Sequence, residues 1–501
     1  MMRCRIASRR IRRNTLPHIA VPIMATLLLA GCAVGPRYSR PTAPVPPTYK
    51  EEPPGWKTAQ PNDQIVRGKW WEIFADPQLN AFEEQINVSN QTLKAAVAQF
   101  QQARALVTFN RANYYPTVTT GVSASRNRQS QNRGLATSLS KTNFTDLVLP
   151  VDVSYEADVF GRVRRTVEAA RSSAQASAGD LESVSLSLHA ELAADYFQLR
   201  TLDAEEGLLN DTVAAFEKAL QLTQNRYRGG VASAVDVAQA QTQLETTRSQ
   251  AIDVHVQRSQ FEHAIAVLIG QPASTFSIPP APWTVPPPPI PAGLPSDLLE
   301  RRPDIAAAER RVSAANAQIG VARAAYFPLF TLSGSGGFES SSITNWFTGP
   351  SGFVSAGASA VVTAFDVGRR RAVSEQARAA YDQTVANYRQ TVLTAFEEVE
   401  DNLAALRILE NEAKTQDAAV SAAQNSLQLS TNRYKGGVVS YLEVITAQSF
   451  ALTDERTAVD ILRRRMVASV QLIKALGGGW NAANLPSVKL DVRPPQANAG
   501  P

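Results

Sequence analysis

The residue with the most specific chemistry is a cysteine. Leu28-Leu29-Ala30-Gly31-Cys32 closes a short apolar run from Ile19 to Ala30. Arg3, Arg5, Arg9, Arg10, Arg12 and Arg13 precede that run, and no acidic residue precedes Cys32. A basic segment followed by a short apolar one reads as a secretory signal. The run is too short for a transmembrane helix, which needs about 20 apolar residues. The closing string looks like a bacterial lipobox. The Cys32 thiol would then carry a thioether-linked diacylglycerol, and cleavage would leave it as the first residue, N-acylated. The expectation is covalent diacylglycerol and an N-acyl chain on Cys32, and no other cofactor.

Little else in the chain has catalytic chemistry. The other cysteine, Cys4, lies in the leader, so after cleavage no pair remains to oxidise. His189, His255 and His263 are scattered through helical stretches without ligand spacing. No nucleophile elbow or phosphate loop occurs, so the chain reads as no enzyme and as binding no metal. The 50 Lys+Arg against 45 Asp+Glu become 44 against 45 once the six leader arginines are removed. A near-neutral mature chain gives no support for nucleic-acid binding. After Cys32 no uninterrupted apolar stretch reaches about 18 residues.

Two strings stand out because they recur. Asn225-Arg226-Tyr227-Arg228-Gly229-Gly230-Val231 returns as Asn432-Arg433-Tyr434-Lys435-Gly436-Gly437-Val438, offset by 207. Gly161-Arg162 and Gly368-Arg369 match at the same offset, as do Ala170-Arg171 and Ala377-Arg378. Tyr114-Tyr115-Pro116 matches Tyr326-Phe327-Pro328 at an offset of 212. Ordered matches of this kind mean two similar halves. Glycine tolerates positive φ, so each Gly-Gly pair marks a helix end and a reversal. Ser233 and Ser440 are the expected N-caps of the helices that follow.

The elements around these strings are long. Residues 162–270 and 369–480 contain no proline. Leu181, Val184, Leu188, Leu192, Tyr196, Leu199, Leu202, Leu209, Val213, Phe216 and Leu220 form one apolar helical seam. It returns as Tyr388, Val399, Leu403, Leu406, Leu409, Val420 and Leu427. A helix from Arg162 to near Asn225 would be on the order of 90 Å long, with coiled-coil-like packing against neighbours. Each half therefore holds a long helical hairpin with the Gly-Gly string at its tip. Period-two alternation marks strands: Leu147, Leu149, Val151, Val153 and Tyr155 in one, Val354, Ala356, Ala358, Ala360 and Val362 in another. Val118, Thr120, Val122 and Ala124 form a third, and Phe330, Leu332 and Gly334 a weaker fourth. Such strands suit either a membrane barrel or a soluble hairpin with one wet face. Four strands cannot close a barrel, so a membrane role requires oligomerisation.

Further strings carry a resemblance. They are Gly31-Cys32-Ala33-Val34-Gly35-Pro36-x-Tyr38-x-x-Pro41, Trp70-Trp71-x-x-Phe74-x-Asp76-Pro77-x-Leu79 and Leu298-Leu299-Glu300-Arg301-Arg302-Pro303-Asp304-Ile305-x-x-Ala308-Glu309. Phe365-Asp366-x-Gly368-Arg369 and Lys474-Ala475-Leu476-Gly477-Gly478-Gly479-Trp480 complete the set. In this order they resemble the TolC-like outer-membrane factors, particularly the lipoprotein branch typified by OprM and NodT. The resemblance implies an α+β membrane protein: a homotrimer with four strands per chain in a twelve-stranded outer-membrane β-barrel. A long periplasmic α-helical barrel would continue it, with a small mixed α/β equatorial belt. It implies a passive conduit for drugs or other small molecules, docked at its periplasmic tip to a membrane-fusion adaptor and through it to an inner-membrane pump. The competing readings are a channel of a protein secretion system and a lipid-anchored periplasmic coiled-coil scaffold.

The corresponding organisation is a signal peptide at 1–31 and a lipid-anchored extended segment at 32–75. A first repeat spans 76–270, a proline-rich linker 271–296, a second repeat 297–480, and a disordered tail 481–501. In this branch a leucine and, one turn later, an aspartate narrow the pore at the second hairpin, with an arginine nearby. Those positions fall on Leu442, Thr446 and Ser449, so both charges are absent. The expected gate residues are Tyr434, Leu442, Glu443 and Thr446, closing by packing more than by charge. Asn225, Arg226, Tyr227, Gly229, Gly230, Asn432, Arg433, Gly436 and Gly437 form the tips and the expected adaptor-docking surface. Leu149, Val151, Val153 and Val362 are expected to face lipid.

Overall fold

The computed structural model describes residues 34–51, 68–128, 143–283, 285–290 and 298–480. Cys32, the signal segment, the end of the proline-rich linker and the 481–501 tail lie outside the described residues. In chain order the elements are α1 (Pro77–Ser89), α2 (Gln91–Ala112), β1 (Thr117–Thr120), β2 (Ser123–Arg128) and β3 (Asn143–Ala157). Then come α3 (Arg162–Arg228), α4 (Ala234–Leu268), α5 (Leu298–Arg301), α6 (Pro303–Ala324), β4 (Leu329–Ser340), β5 (Gly352–Val361), α7 (Arg369–Lys435) and α8 (Tyr441–Ala475).

The repeat is carried by element lengths. Helices α3 and α7 have 67 residues each, α4 and α8 have 35 each, and α2 and α6 have 22 each. At 1.5 Å per residue α3 and α7 are about 100 Å long. The halves do not fold as separate bodies. One compact unit takes its described residues from 1–39, 105–172 and 313–382, the other from 40–104, 173–312 and 383–501.

The first unit holds the sheet. All its pairings are antiparallel, in the order β1/β2–β3–β4–β5. β1 and β2 both pair with β3 in one continuous register, interrupted only at Gly121 and Val122, so they act as one broken strand. Residues directly opposite share a face. Val118, Val153, Gly334 and Ala356 therefore lie in one row, and Thr120, Val151, Gly336 and Val354 in the next. Tyr155, Leu332 and Ala358 form a third row on that face, and Leu149 with Phe338 a fourth. The opposite face carries Ser154, Ser333 and Gly357, then Asp152, Ser335 and Ser355. Of the expected lipid-facing set, Leu149, Val151 and Val153 lie on β3, while β5 ends at Val361 and Val362 lies just beyond it.

The second unit owes its folding to buried helix seams and to the resemblance-bearing motifs. Leu192, Tyr196, Leu199, Leu202 and Leu209 are buried on α3, and Tyr388, Val392, Val399 and Leu403 on α7. Asp76 caps α1, accepting from the Gln78 and Leu79 amides at 2.8 and 3.0 Å, with Pro77 at the first helical position. Tyr196 Oη donates to the same carboxylate at 2.6 Å. Arg302 donates to Asp304, to Glu398 and to the Ala475 carbonyl at the end of α8. There Gly477 has φ +92°, and a Cβ would meet the Arg301 carbonyl oxygen at 2.0 Å, so only glycine fits. The proline-rich linker is clamped by two arginines. Arg258 donates to the Ile278 carbonyl at 2.6 Å and Arg200 to that of Pro279 at 2.8 Å, while Asp203 accepts from both guanidinium groups.

Candidate functional site

The two hairpin tips lie together in the second unit. At the first, Gly230 has φ +75°; its amide donates to the Tyr227 carbonyl at 2.9 Å, and the Val231 amide to that of Arg226 at 2.8 Å. The second repeats this: Gly437 has φ +77°, with Gly437 to Tyr434 at 2.9 Å and Val438 to Arg433 at 3.0 Å. Both are Schellman stops, which satisfy helix-end carbonyls and require a left-handed residue.

The same letters then meet different surroundings. Tyr227 is half exposed, whereas its repeat mate Tyr434 is 4% exposed. Tyr434 packs with Tyr441 (ring centroids 5.2 Å apart), Phe216, Leu220, Leu244 and Val444. Its Oη donates to Thr223 Oγ1 at 3.3 Å. Burial pushes the neighbouring Tyr441 hydroxyl up to about 12, so it stays protonated. The Tyr434 ring, expected at the gate, is in this chain core between the two hairpins, with almost none of its surface free.

The arginines also diverge. The Arg226 guanidinium sits 4.6 Å from the Tyr434 ring centroid and donates to the Lys435 carbonyl at 3.0 Å. It thus reaches from the first hairpin to the helix end of the second, combining a cation–π contact with a cap. Arg433 instead pairs with Glu443 at 2.9 Å within its own hairpin. The caps differ accordingly. Ser233 and Asp236 form a reciprocal capping box, at 3.1 and 2.9 Å. Ser440 occupies the N-cap position of α8 but makes no side-chain cap bond, and the acid three residues on, Glu443, is drawn to Arg433.

Leu442 is 56% exposed and Thr446 lies one turn further along α8, its hydroxyl donating back to the Leu442 carbonyl at 2.9 Å. Phe450, another turn on, is also exposed. Leu442, Thr446 and Phe450 follow one another at helical spacing, giving α8 one open face with an apolar residue at each end. Sequence reasoning missed Phe450 and Thr223; the four-residue step from Thr446 to Phe450 was the available signal. Asn225 Oδ1 accepts from Arg228 at 3.0 Å, and its repeat mate Asn432 sits in the last turn of α7. No group of His, Cys, Asp or Glu among the described residues is arranged to hold a metal ion.

Paired hairpins of this length, a packed tip, and an antiparallel sheet whose edges have no partner strand among the described residues fit a channel-forming class of outer-membrane protein. The family model described as Outer membrane efflux protein matches residues 84–271 and 294–478. The chain belongs to that family. It is 32% identical over 463 residues to the outer membrane protein OprJ of Pseudomonas aeruginosa, covering 92% of this chain and 95% of that one. It is 30% identical over 464 residues to the cation efflux system protein CusC of Escherichia coli, covering 92% and 98%. Among solved structures it superposes on the outer-membrane channel OprN with a TM-score of 0.82 at 31% identity, covering 90% of this chain and 100% of that one. The open state of the Neisseria gonorrhoeae MtrE outer membrane channel gives 0.77 at 27%, covering 90% and 99%.

Proposed function

We propose that this outer-membrane efflux protein is one subunit of a homotrimeric channel. Three sheets close a twelve-stranded barrel in the outer membrane, and the hairpins form a periplasmic α-helical barrel. The tips dock to a membrane-fusion adaptor that connects to an inner-membrane pump. The pump supplies the energy; this chain supplies the conduit for small molecules and does no catalysis. The observation that carries the reading is the sheet: the Leu149, Val151, Val153 and Tyr155 rows lie on one face and the Asp152 and Ser154 rows on the other, and among the described residues neither edge has a partner strand. Unpaired edges cannot stand in hydrocarbon, so closure with other copies follows.

Aromatic clusters bound the apolar face, as they do at membrane–water interfaces. Phe160 lies 4.6 Å from Phe327 and 6.3 Å from Phe330 by ring centroid at the helix end of the sheet. At the other, Phe338 meets Phe347 edge-on with centroids 5.6 Å apart, and Trp346 stacks on Phe347 at 5.0 Å. From Phe330 to Phe338 is about 27 Å along the strand, or about 21 Å after a tilt near 40°. Native mass spectrometry of detergent-purified protein should give a trimer, and planar bilayers should show discrete conductance. Val151→Arg, placed mid-face, should weaken assembly by about 2–4 kcal/mol. A detergent-stable monomer with full β-sheet signal would overturn the channel; a lipid-anchored scaffold would give no conductance.

The lipid anchor on Cys32 belongs to the same reading. Metabolic palmitate should label the wild type and not Cys32→Ala. Equal labelling of the two would remove the anchor while leaving the barrel.

A further inference from the structure

The sheet sorts its charges as well as its apolar residues. Arg126 lies opposite Thr145 and Arg128 opposite Asn143. These rows continue, at the same parity of β3, the face that holds Leu147, Leu149, Val151 and Val153. The sheet's described acids, Asp146, Asp152, Glu156 and Glu339, all have the other parity. The apolar face therefore ends, at the end of the sheet away from the helices, in two exposed arginines. Neither has an ion-pair partner among the described residues, and no acid shares their face. The level matters too. Thr145 is four residues beyond Leu149, the partner of the aromatic Phe338 row. That places Arg126 about 10 Å outside the aromatic cluster, along a strand tilted near 40°.

We propose that Arg126 and Arg128 form a site for the phosphate groups of an anionic outer-leaflet lipid. This rests on the membrane-spanning reading of the sheet, which puts the far end at the outer leaflet. An uncompensated pair of guanidinium groups beyond an apolar band faces lipid headgroups, and guanidinium is suited to bidentate phosphate contacts. Continuity with the apolar face commits the site to a lipid and not to a free anion: acyl chains lie on the Val151 and Leu149 rows while the phosphate meets the arginines.

The test uses the full-length protein in phosphatidylcholine nanodiscs, doped with diphosphoryl or monophosphoryl lipid A. Native mass spectrometry counts the lipid retained. The wild type should retain diphosphoryl lipid A about tenfold better than Arg126→Ala/Arg128→Ala, and better than it retains the monophosphoryl form. Arg126→Lys/Arg128→Lys should keep most of the retention, which separates charge from misfolding. Equal retention by the wild type and the alanine variant overturns the site. Displacement of the lipid by millimolar inorganic phosphate would show a free-anion site and overturn the lipid assignment. Conductance is read on the same preparations: a wild type that conducts without lipid preference sinks this site alone, whereas a wild type that never conducts sinks the channel reading.

Discussion

Glu83 and His189 form a buried contact that no sequence pattern announced. Glu83 Oε2 lies 2.6 Å from His189 Nδ1, Trp71 stacks on the imidazole at 4.5 Å, and Asn87 approaches Nε2 at 3.3 Å. Burial raises the Glu83 carboxyl well above its ordinary range, helped by nearby Glu84. Burial also lowers His189 to about 4. The two shifts act in opposite directions on stability. The unfolded chain protonates His189 first as pH falls, so its contribution is full above about 6.5 and is lost toward 4. Glu83 holds its proton more tightly when folded, so its contribution is full below about 4.5 and is lost as pH rises through the raised value. Glu83→Gln keeps a donor toward Nδ1 and cannot ionise. At pH 5 its unfolding midpoint should match that of the wild type, and its alkaline loss should be smaller. A fall of about 3 kcal/mol or more at pH 5 would mean that the wild-type carboxylate is ionised and paired. At the tip, Leu442, exposed in the single chain, would be covered by the other subunits of a closed trimer, so Leu442→Ala should raise single-channel conductance while leaving the trimer intact, since a leucine buried there stabilises closure by about 1.5–3 kcal/mol. Glu443→Gln should change conductance little, because its partner Arg433 sits in the same hairpin. The reverse ranking would establish a charge-operated gate.

At the scale of elements the two hairpins are matched in length and unmatched in fastening. Only the first has a capping box. Ser233→Ala should therefore speed amide exchange at the start of α4, consistent with a cap worth about 1 kcal/mol. Ser440→Ala should leave α8 unchanged; equal effects would show that the two turns are held alike. The helices, their Gly-Gly stops and the strand alternation were legible in the sequence, because each is a local pattern with its own period. The difference in fastening was not: both turns read serine, two residues, acid, and only Arg433 decides where Glu443 points. Burial was equally hidden, since Tyr227 and Tyr434 stand in the same string and only one has a neighbouring hairpin over it. The end of β5 fell one residue short of the alternation because the pairing with β4 runs out at Val361.

For the whole molecule, the sorting of charge predicts selectivity. Asp146, Asp152, Glu156 and Glu339 lie on the polar face, which lines the passage if the sheet closes with its apolar face to lipid. Glu156 is neutralised by Arg162, leaving Asp146, Asp152 and Glu339 among the described residues of the sheet. Reversal potentials in a salt gradient should show preference for cations, reduced by Asp152→Asn and fading as salt rises. Anion preference in the wild type would place the faces the other way round. The spacing of the two aromatic clusters also bears on where such a sheet is at ease. A greasy band about 21 Å tall is short for a bilayer whose hydrocarbon averages about 30 Å, and each ångström of mismatch costs a fraction of a kcal/mol. The bacterial outer membrane is thinner than average. The strands would thus discriminate between the two membranes of the cell by thickness alone, and an assembled barrel stranded in the wrong one would thin the lipid around it.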